Sequence, residues 1–363
     1  MSVILFIILL AVLILVHELG HFLAAKWGKV RVDEFGIGFP PKIWWTKKGE
    51  TTYSVNAIPF GGFVKIFGEN PDEDSIGGED SRRSMVNRPK YIQSMILAAG
   101  VAFNIIFAWI LISGGFMSGL PTPVSYGGNV PVKNPRLVIV AVAPGSPAEE
   151  AGLKAGDRIE EVKTAGFILE ELSPEGVSAF IEKHNDDEVL VDYERGSMTG
   201  EAKMFPAEGI TAGKKAIGIS MDLIGTLKLP VHLAFWEGAK TTASLTSAVT
   251  VGIVHFIGDV FTGKGSLNQV TGPVGIVGLV GNVTELGFIY LLSLAAFISI
   301  NLAIVNLLPF PALDGGRLIF LAIESIKGSR INPKIANGLN AVGFIILIIF
   351  MIVVTVHDVA RIF

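Results

Sequence analysis

The chain has 363 residues, of which 50% are hydrophobic and only 17% charged, and it contains no cysteine. Soluble domains carry about 25% charged residues, so this composition excludes an ordinary soluble protein and fits a membrane protein with some soluble mass. A net charge of −4 leaves no nucleic-acid footprint, and without cysteine there are no disulfides and any metal must be held by His and carboxylates.

The first predicted spanning segment is Val3–Ala25. No polar side chain occurs from Val3 to Val16; then come His17-Glu18-Leu19-Gly20-His21, and apolar residues resume at Phe22. Two imidazoles and a carboxylate are costly in hydrocarbon and mark a functional site. On a helix His17 and His21 lie one turn apart on one face, able to grip a metal ion, with Glu18 beside them as a base. A secretory signal peptide, with Val3–Val16 as its apolar core and Ala24-Ala25 near a cleavage site, is the competing reading. It lacks the basic leading region and has no use for the histidines.

Residues 26–91 form a loop with eleven Lys and Arg. Within it Ile58–Ile66 alternates aromatic, glycine and β-branched residues. This reads either as a β-hairpin beside the membrane, presenting Gly61, Gly62 and Phe63 to an extended substrate, or as an interfacial anchor with Phe60, Phe63 and Phe67 among headgroups.

The second span is Ile92–Met117. Gly100 and Asn104, one turn apart near its start, suit close helix packing with Asn104 bonding across helices; substrate contact is the second role for Asn104. Residues 118–134 read as a linker. Arg136–Val142 is strand-like, and Pro144–Ile159 has the order turn, short helix capped by Ser146, glycine stop, turn and strand. With Ile217–Met221 as a closing strand, this α+β domain is bounded at 135–222. In residues 223–285 the window Thr241–Phe261 contains His255, Asp259 and several Ser and Thr. It reads as an amphipathic helix in preference to a fifth span.

The third span, Leu286–Leu308, ends in Asn306-Leu307-Leu308-Pro309-Phe310-Pro311-Ala312-Leu313-Asp314-Gly315-Gly316. A loop over 317–338 carries Arg317, Lys327, Arg330 and Lys334, and the fourth span is Leu339–Val356 within 339–363. No Lys or Arg lies within fifteen residues of the spans flanking 118–285. The positive-inside rule therefore puts the two basic loops in the cytoplasm and 118–285 and both termini outside. The first and third spans then run the same way. His17 lies about 21 Å down the first span, and Asp314, at the end of the third, arrives at a similar depth near the cytoplasmic face. A fifth crossing at Thr241–Phe261 would reverse the third span.

The run Ser146-Pro147-Ala148 to Gly156-Asp157 resembles a PDZ domain. As a whole the chain resembles the site-2 protease family of intramembrane zinc metalloproteases, of the RseP type. The resemblance rests on HELGH in the first span, IPFGGFVKIFGE in the loop, AAGVAFN in the second span, LNQVTGPVGI before the third and NLLPFPALDGG at its end. It implies a polytopic α-helical protein of about four spans in the bacterial inner membrane, with an inserted extracytoplasmic PDZ domain. It implies Zn2+ held by His17, His21 and Asp314, Glu18 as catalytic acid/base, and Asn306 near bound substrate; Pro309, where the helix breaks, is a further candidate because proline and glycine there leave backbone groups free to hold an extended substrate. The implied substrates are single-span membrane proteins already shortened outside, such as anti-sigma factors, and remnant signal peptides; the implied role is regulated intramembrane proteolysis in a stress response. The enterobacterial pattern has two PDZ domains, and one is found here. The competing classes are a non-proteolytic PDZ scaffold, which would not need all four site residues, and a metal-dependent transporter, which usually shows repeated halves that this sequence lacks.

Overall fold

The computed structural model describes residues 2–126, 131–196, 198–211, 214–263, 265 and 270–362. Leu267–Gln269 of the LNQVTGPVGI run lie outside the described residues, as does the side chain of Phe60. The chain divides into two compact units. One comprises Met1–Gly114, Phe235–Asn282 and Leu291–Phe363; the other comprises Gly115–Ala234 and Val283–Tyr290.

The first unit begins with helix α1 (Ser2–Trp27). Its 26 residues span about 39 Å at 1.5 Å per residue, enough for a hydrocarbon core of about 30 Å. The chain leaves it through Gly28 and Lys29, the latter at φ +54°, and enters two long strands, β1 (Val32–Lys48) and β2 (Thr51–Ile66).

These strands fold back on each other. Glu34, Phe35, Gly36 and Ile37 pair on one side with Lys65, Val64, Phe63 and Gly62, and on the other with Thr52, Tyr53, Ser54 and Val55. Trp44–Lys48 pairs onward with Val55–Thr51. The hairpin therefore closes at Gly49, where φ is +65°, and not within Ile58–Ile66. That stretch is the second half of β2, and among the described residues Gly62–Ile66 is an outer lane of the sheet. Neither Phe63 nor Phe67 hangs free: Phe63 stacks on Phe39, and the Arg31 guanidinium lies 4.0 Å from the Phe67 ring centroid.

A short helix α2 (Glu73–Gly77) precedes α3 (Lys90–Ser118). Helices α1 and α3 cross closely. A Cβ on Gly20 would stand 2.4 Å from the Ala99 carbonyl oxygen, so glycine is what permits the approach.

In the second unit, β3 (Leu120–Pro123) and β4 (Lys133–Val142) are followed by α4 (Pro147–Glu150), β5 (Arg158–Thr164), β6 (Phe167–Ile168) and α5 (Pro174–Lys183). Then come β7 (Val189–Arg195), β8 (Met198–Met204), β9 (Ala207–Thr211), β10 (Lys214–Ala216) and β11 (Ile219–Leu227). The main sheet runs in the order β3-β11-β4-β5-β7-β8, with β6 beside β5. Its core is Leu137, Ile139, Ile159, Val162, Val189 and Val191, closed by Val177 and Ile181 of α5. Ser146 and Ser173 cap α4 and α5 by accepting from the backbone N–H of Glu149 and Gly176, each with proline as the next residue. The carboxylate of Asp157, fully buried, accepts from Lys154 N–H and from two nitrogens of Arg195 at 2.6 and 2.7 Å. The sheet exceeds the expected 135–222 bounds. Lys133 pairs with Thr226, and β3 pairs with β11 from Leu120↔Leu227 to Pro123↔Ile224, so 118–134 is not simply a linker.

The chain continues through α6 (Val231–Phe261), α7 (Pro273–Leu286), α8 (Phe288–Leu307), α9 (Asp314–Lys327) and α10 (Pro333–Ile362). Among the described residues five helices, rather than the expected four, are long and apolar enough to cross a membrane: α1, α3, α6, α8 and α10. In α6 the hydroxyls of Thr241, Thr242, Thr246 and Thr250 donate to carbonyls one turn back, which masks the polarity that reads as amphipathic in the sequence. Two helices, α6 and α7, stand before α8 where the sequence suggests one; α7, at 14 residues, is apolar but shorter than a full span. The loop expected over 317–338 contains most of α9. It meets the first basic loop through Arg317 with Glu69, Lys90 with Glu324, and Arg330 with Asn87.

Candidate active site

His17 and His21 project from one face of α1, as their spacing requires, and both are buried. Asp314 is brought to them by the break after α8. Helix α8 stops at Leu307, before Pro309 and Pro311, and the chain turns so that Asp314 becomes the first residue of α9. A Cβ on Gly315 would meet the carbonyl oxygens of Leu307 and Leu308 at 2.2 Å, and one on Gly316 that of Phe310 at 2.2 Å. The paired glycines therefore let the turn close tightly on α9.

The three side chains converge. His17 Nε2 lies 3.1 Å and His21 Nε2 3.2 Å from Asp314 Oδ2, and the two nitrogens are 3.1 Å apart. Asp314 Oδ2 is buried without a hydrogen-bond partner. Electron pairs of two imidazoles and a carboxylate repel at this spacing unless a cation lies between them. His17, His21 and Asp314 would hold one ion through three protein ligands, the number that a catalytic zinc site uses. The donor set therefore fits zinc. Among the described residues no second grouping of His, Asp and Glu has such spacing; His184, His232, His255 and His357 lie outside it.

Helix α3 orients both rings. His21 Nδ1 is 2.8 Å from the Ile96 carbonyl oxygen, so it carries the proton and Nε2 presents its lone pair inward. Asn104, fully buried, lies against His17 Nδ1, with its amide nitrogen placed at 3.3 Å and Oδ1 left without a partner. Turning the amide over gives Oδ1 the partner it lacks. Oδ1 then accepts from His17 Nδ1–H, and Nε2 again faces the centre. The Asn104 backbone carbonyl accepts from Ser299 Oγ at 2.8 Å. Gly100 completes the seat: a Cβ there would stand 2.4 Å from His21 Nε2 and 2.7 Å from His17 Nε2.

Glu18 sits beside the three converging groups. Its Oε2 accepts from the Val64 backbone N–H at 3.0 Å, so the outer lane of the sheet runs alongside the carboxylate. Gly61, at φ +89°, lies against Ile14, and Gly62 lies near Glu18 Cγ. A cavity of about 210 Å³ opens at this point, lined by Ile14, His17, Glu18, Leu302, Asn306, Ala312, Leu313 and Asp314.

Of the residues anticipated from sequence, His17, Glu18, His21, Asp314 and Asn306 thus share one site, and Gly61, Gly62 and Phe63 lie on the lane flanking Glu18. Asn104 touches a histidine, not the cavity. Pro309 is exposed and ends α8 without lining the cavity. Sequence reasoning missed the Val64 N–H and the Ile96 carbonyl, which are backbone groups without a side-chain signature. It also missed that Gly100 abuts the imidazoles.

The profile of peptidase family M50 matches residues 5–350. A putative zinc metalloprotease of Clostridium acetobutylicum is 32% identical over 359 residues, covering 99% of this chain and 97% of the relative. A putative zinc metalloprotease of Nostoc is 34% identical over 362 residues, covering 97% and 95%. The regulator of sigma-W protease RasP of Bacillus subtilis is 30% identical over an alignment of 438 residues, covering 100% of this chain and 99% of the relative. With the profile matching nearly the whole length, and relatives aligned end to end, the chain belongs to peptidase family M50.

Proposed function

We propose that this protein is a zinc endopeptidase of the site-2 type that cuts single-span membrane proteins within the bilayer. The observation that carries the reading is the convergence of Asp314 Oδ2 with His17 Nε2 and His21 Nε2 at 3.1–3.2 Å next to Glu18, the two histidines and Glu18 standing on a helix that is apolar from Val3 to Val16. In this reading His17, His21 and Asp314 hold the metal, and Glu18 is the general acid/base. When bound, zinc polarises the scissile carbonyl and lowers the pKa of a water to about 7. Val64 fixes one oxygen of Glu18, and the carboxylate takes the proton of the attacking water and returns it to the leaving amine. Asn104 and the Ile96 carbonyl keep the two imidazoles in the tautomer that offers Nε2.

A peptide bond inside a helix is shielded, so the substrate must unwind locally. The lane Gly61–Ile66 beside Glu18 offers an edge on which an extended segment can satisfy its backbone groups. Asn306, on the cavity wall, is available to contact that segment. The second unit, with its Ser146-capped α4, buried Asp157 and α5 over the sheet, is read as a PDZ domain that selects trimmed substrates, by peptide capture or by exclusion. By the positive-inside rule the two basic loops and the cavity lie toward the cytoplasmic face of the bacterial inner membrane, and this unit lies outside. The contact between the two basic loops supports their lying on one side. The name of the Bacillus subtilis relative favours an anti-sigma factor as substrate class, with remnant signal peptides as a second.

The test uses purified wild type and Glu18→Gln with a single-span substrate trimmed on its outer side. Cleavage by wild type alone supports the reading. Equal cleavage by both removes Glu18 from the chemistry.

A further inference from the structure

We propose that Asn340, on the last helix, is a positioning residue for Asp314, acting through the backbone conformation of Ala312. The proposal rests on the metal-site reading above. Ala312 lies at φ +76°, a left-handed conformation that side-chain-bearing residues rarely adopt and that persists only where the surroundings impose it. Here the imposing group is Asn340 Oδ1, which accepts the Ala312 N–H at 3.1 Å. One turn further along the same face of α10, Gly343 lets the helix press on the loop: a Cβ there would stand 2.5 Å from the Pro311 carbonyl oxygen. Helix α10 thus grips residues 311 and 312 at two points.

This grip bears on Asp314, two residues further along the chain. Leu313 is the N-cap of α9 and provides no side-chain cap. Asp314 is therefore fixed by its neighbours: Gly315 and Gly316 packed against carbonyls behind it, and the held turn at Ala312 ahead of it. Ala312 relaxing to a right-handed conformation would swing the chain two residues before the carboxylate and carry Oδ2 off the two imidazoles. It would also reshape the cavity, since Ala312 and Leu313 line it. Asn340 touches neither the cavity nor the three converging groups, so the role is positional.

The test compares zinc release to a chelator, and the visible spectrum of the cobalt-substituted protein, in full-length wild type, Asn340→Leu, Asn340→Asp and Asn340→Leu with Ala312→Gly. His17→Ala is the control. Asn340→Leu is expected to release zinc about tenfold faster and to shift the cobalt spectrum. Asn340→Asp keeps the acceptor and is expected to match wild type. Glycine at 312 adopts positive φ without a steric cost and is expected to recover most of the loss. Wild-type release in Asn340→Leu, equal release in Asn340→Asp and Asn340→Leu, or no recovery by Ala312→Gly would each overturn the proposal. If Asn340→Leu does not fold, Asn340→Ala serves in the same comparison. Wild-type zinc retention by His17→Ala would instead overturn the metal-site reading, and this proposal with it.

Discussion

The backbone N–H of Val64 donates to Glu18 Oε2 at 3.0 Å, tying the proposed catalytic carboxylate to the outer lane of the sheet. One bond thus links the group that moves the proton to the edge on which a substrate would unwind. Val64→Pro removes the donor without adding charge. It is expected to lower kcat by about tenfold to a hundredfold with zinc content unchanged, as measured by steady-state cleavage and metal analysis on the same preparation. Unchanged kcat would detach the sheet edge from Glu18.

Gly100→Ala is expected to be far more damaging than its size implies. The added methyl would fall 2.4–2.7 Å from atoms of both imidazoles, so the rings or α3 must move. Overpacking of this kind costs about 1–3 kcal/mol. Here it should appear as loss of zinc together with a lowered thermal midpoint. Full zinc retention would show that the α1–α3 crossing is looser than these distances imply.

Asn104 separates orientation from packing. If its Oδ1 accepts from His17 Nδ1–H, Asn104→Asp keeps that bond and retains zinc, whereas Asn104→Leu, of similar volume, weakens zinc binding by about tenfold to a hundredfold. Competition against a chromogenic chelator reads the difference. Equal affinity in the two variants would assign Asn104 to helix packing alone.

In the second unit, Asp157→Ala strands the Arg195 guanidinium, which the neighbouring carboxylate holds more firmly protonated than usual. Breaking a buried pair from one side costs about 3 kcal/mol or more. Limited proteolysis of the full chain should cut first within 133–227, while zinc content stays at the wild-type level. Loss of zinc in this variant would contradict the assignment of Asp157 to the sheet unit.

Much of the site was legible because its chemistry is local and conspicuous. His17 and His21 are one helical turn apart in a segment with no other reason to be polar. Asp314 comes directly after a helix broken by Pro309 and Pro311, in a run that ends in paired glycines. The parts that were not legible depend on non-local backbone geometry. Ile58–Ile66 carries the aromatic–glycine alternation that attracts a hairpin reading, yet its partner is Glu34–Ile37, reached through a turn at Gly49 with little signal of its own. The hydroxyls of α6 look exposed in sequence and are satisfied by its own carbonyls. Asn340 gave no signal, because the group it holds is the Ala312 amide, 28 residues away.

The most direct measurement is zinc stoichiometry in purified wild type, His17→Ala, His21→Ala, Asp314→Ala and Glu18→Gln, each also assayed for cleavage. The account predicts about one zinc in wild type and Glu18→Gln, cleavage by wild type alone, and loss of zinc in the three ligand variants. Zinc retained at wild-type level when any of His17, His21 or Asp314 is replaced by alanine would contradict it.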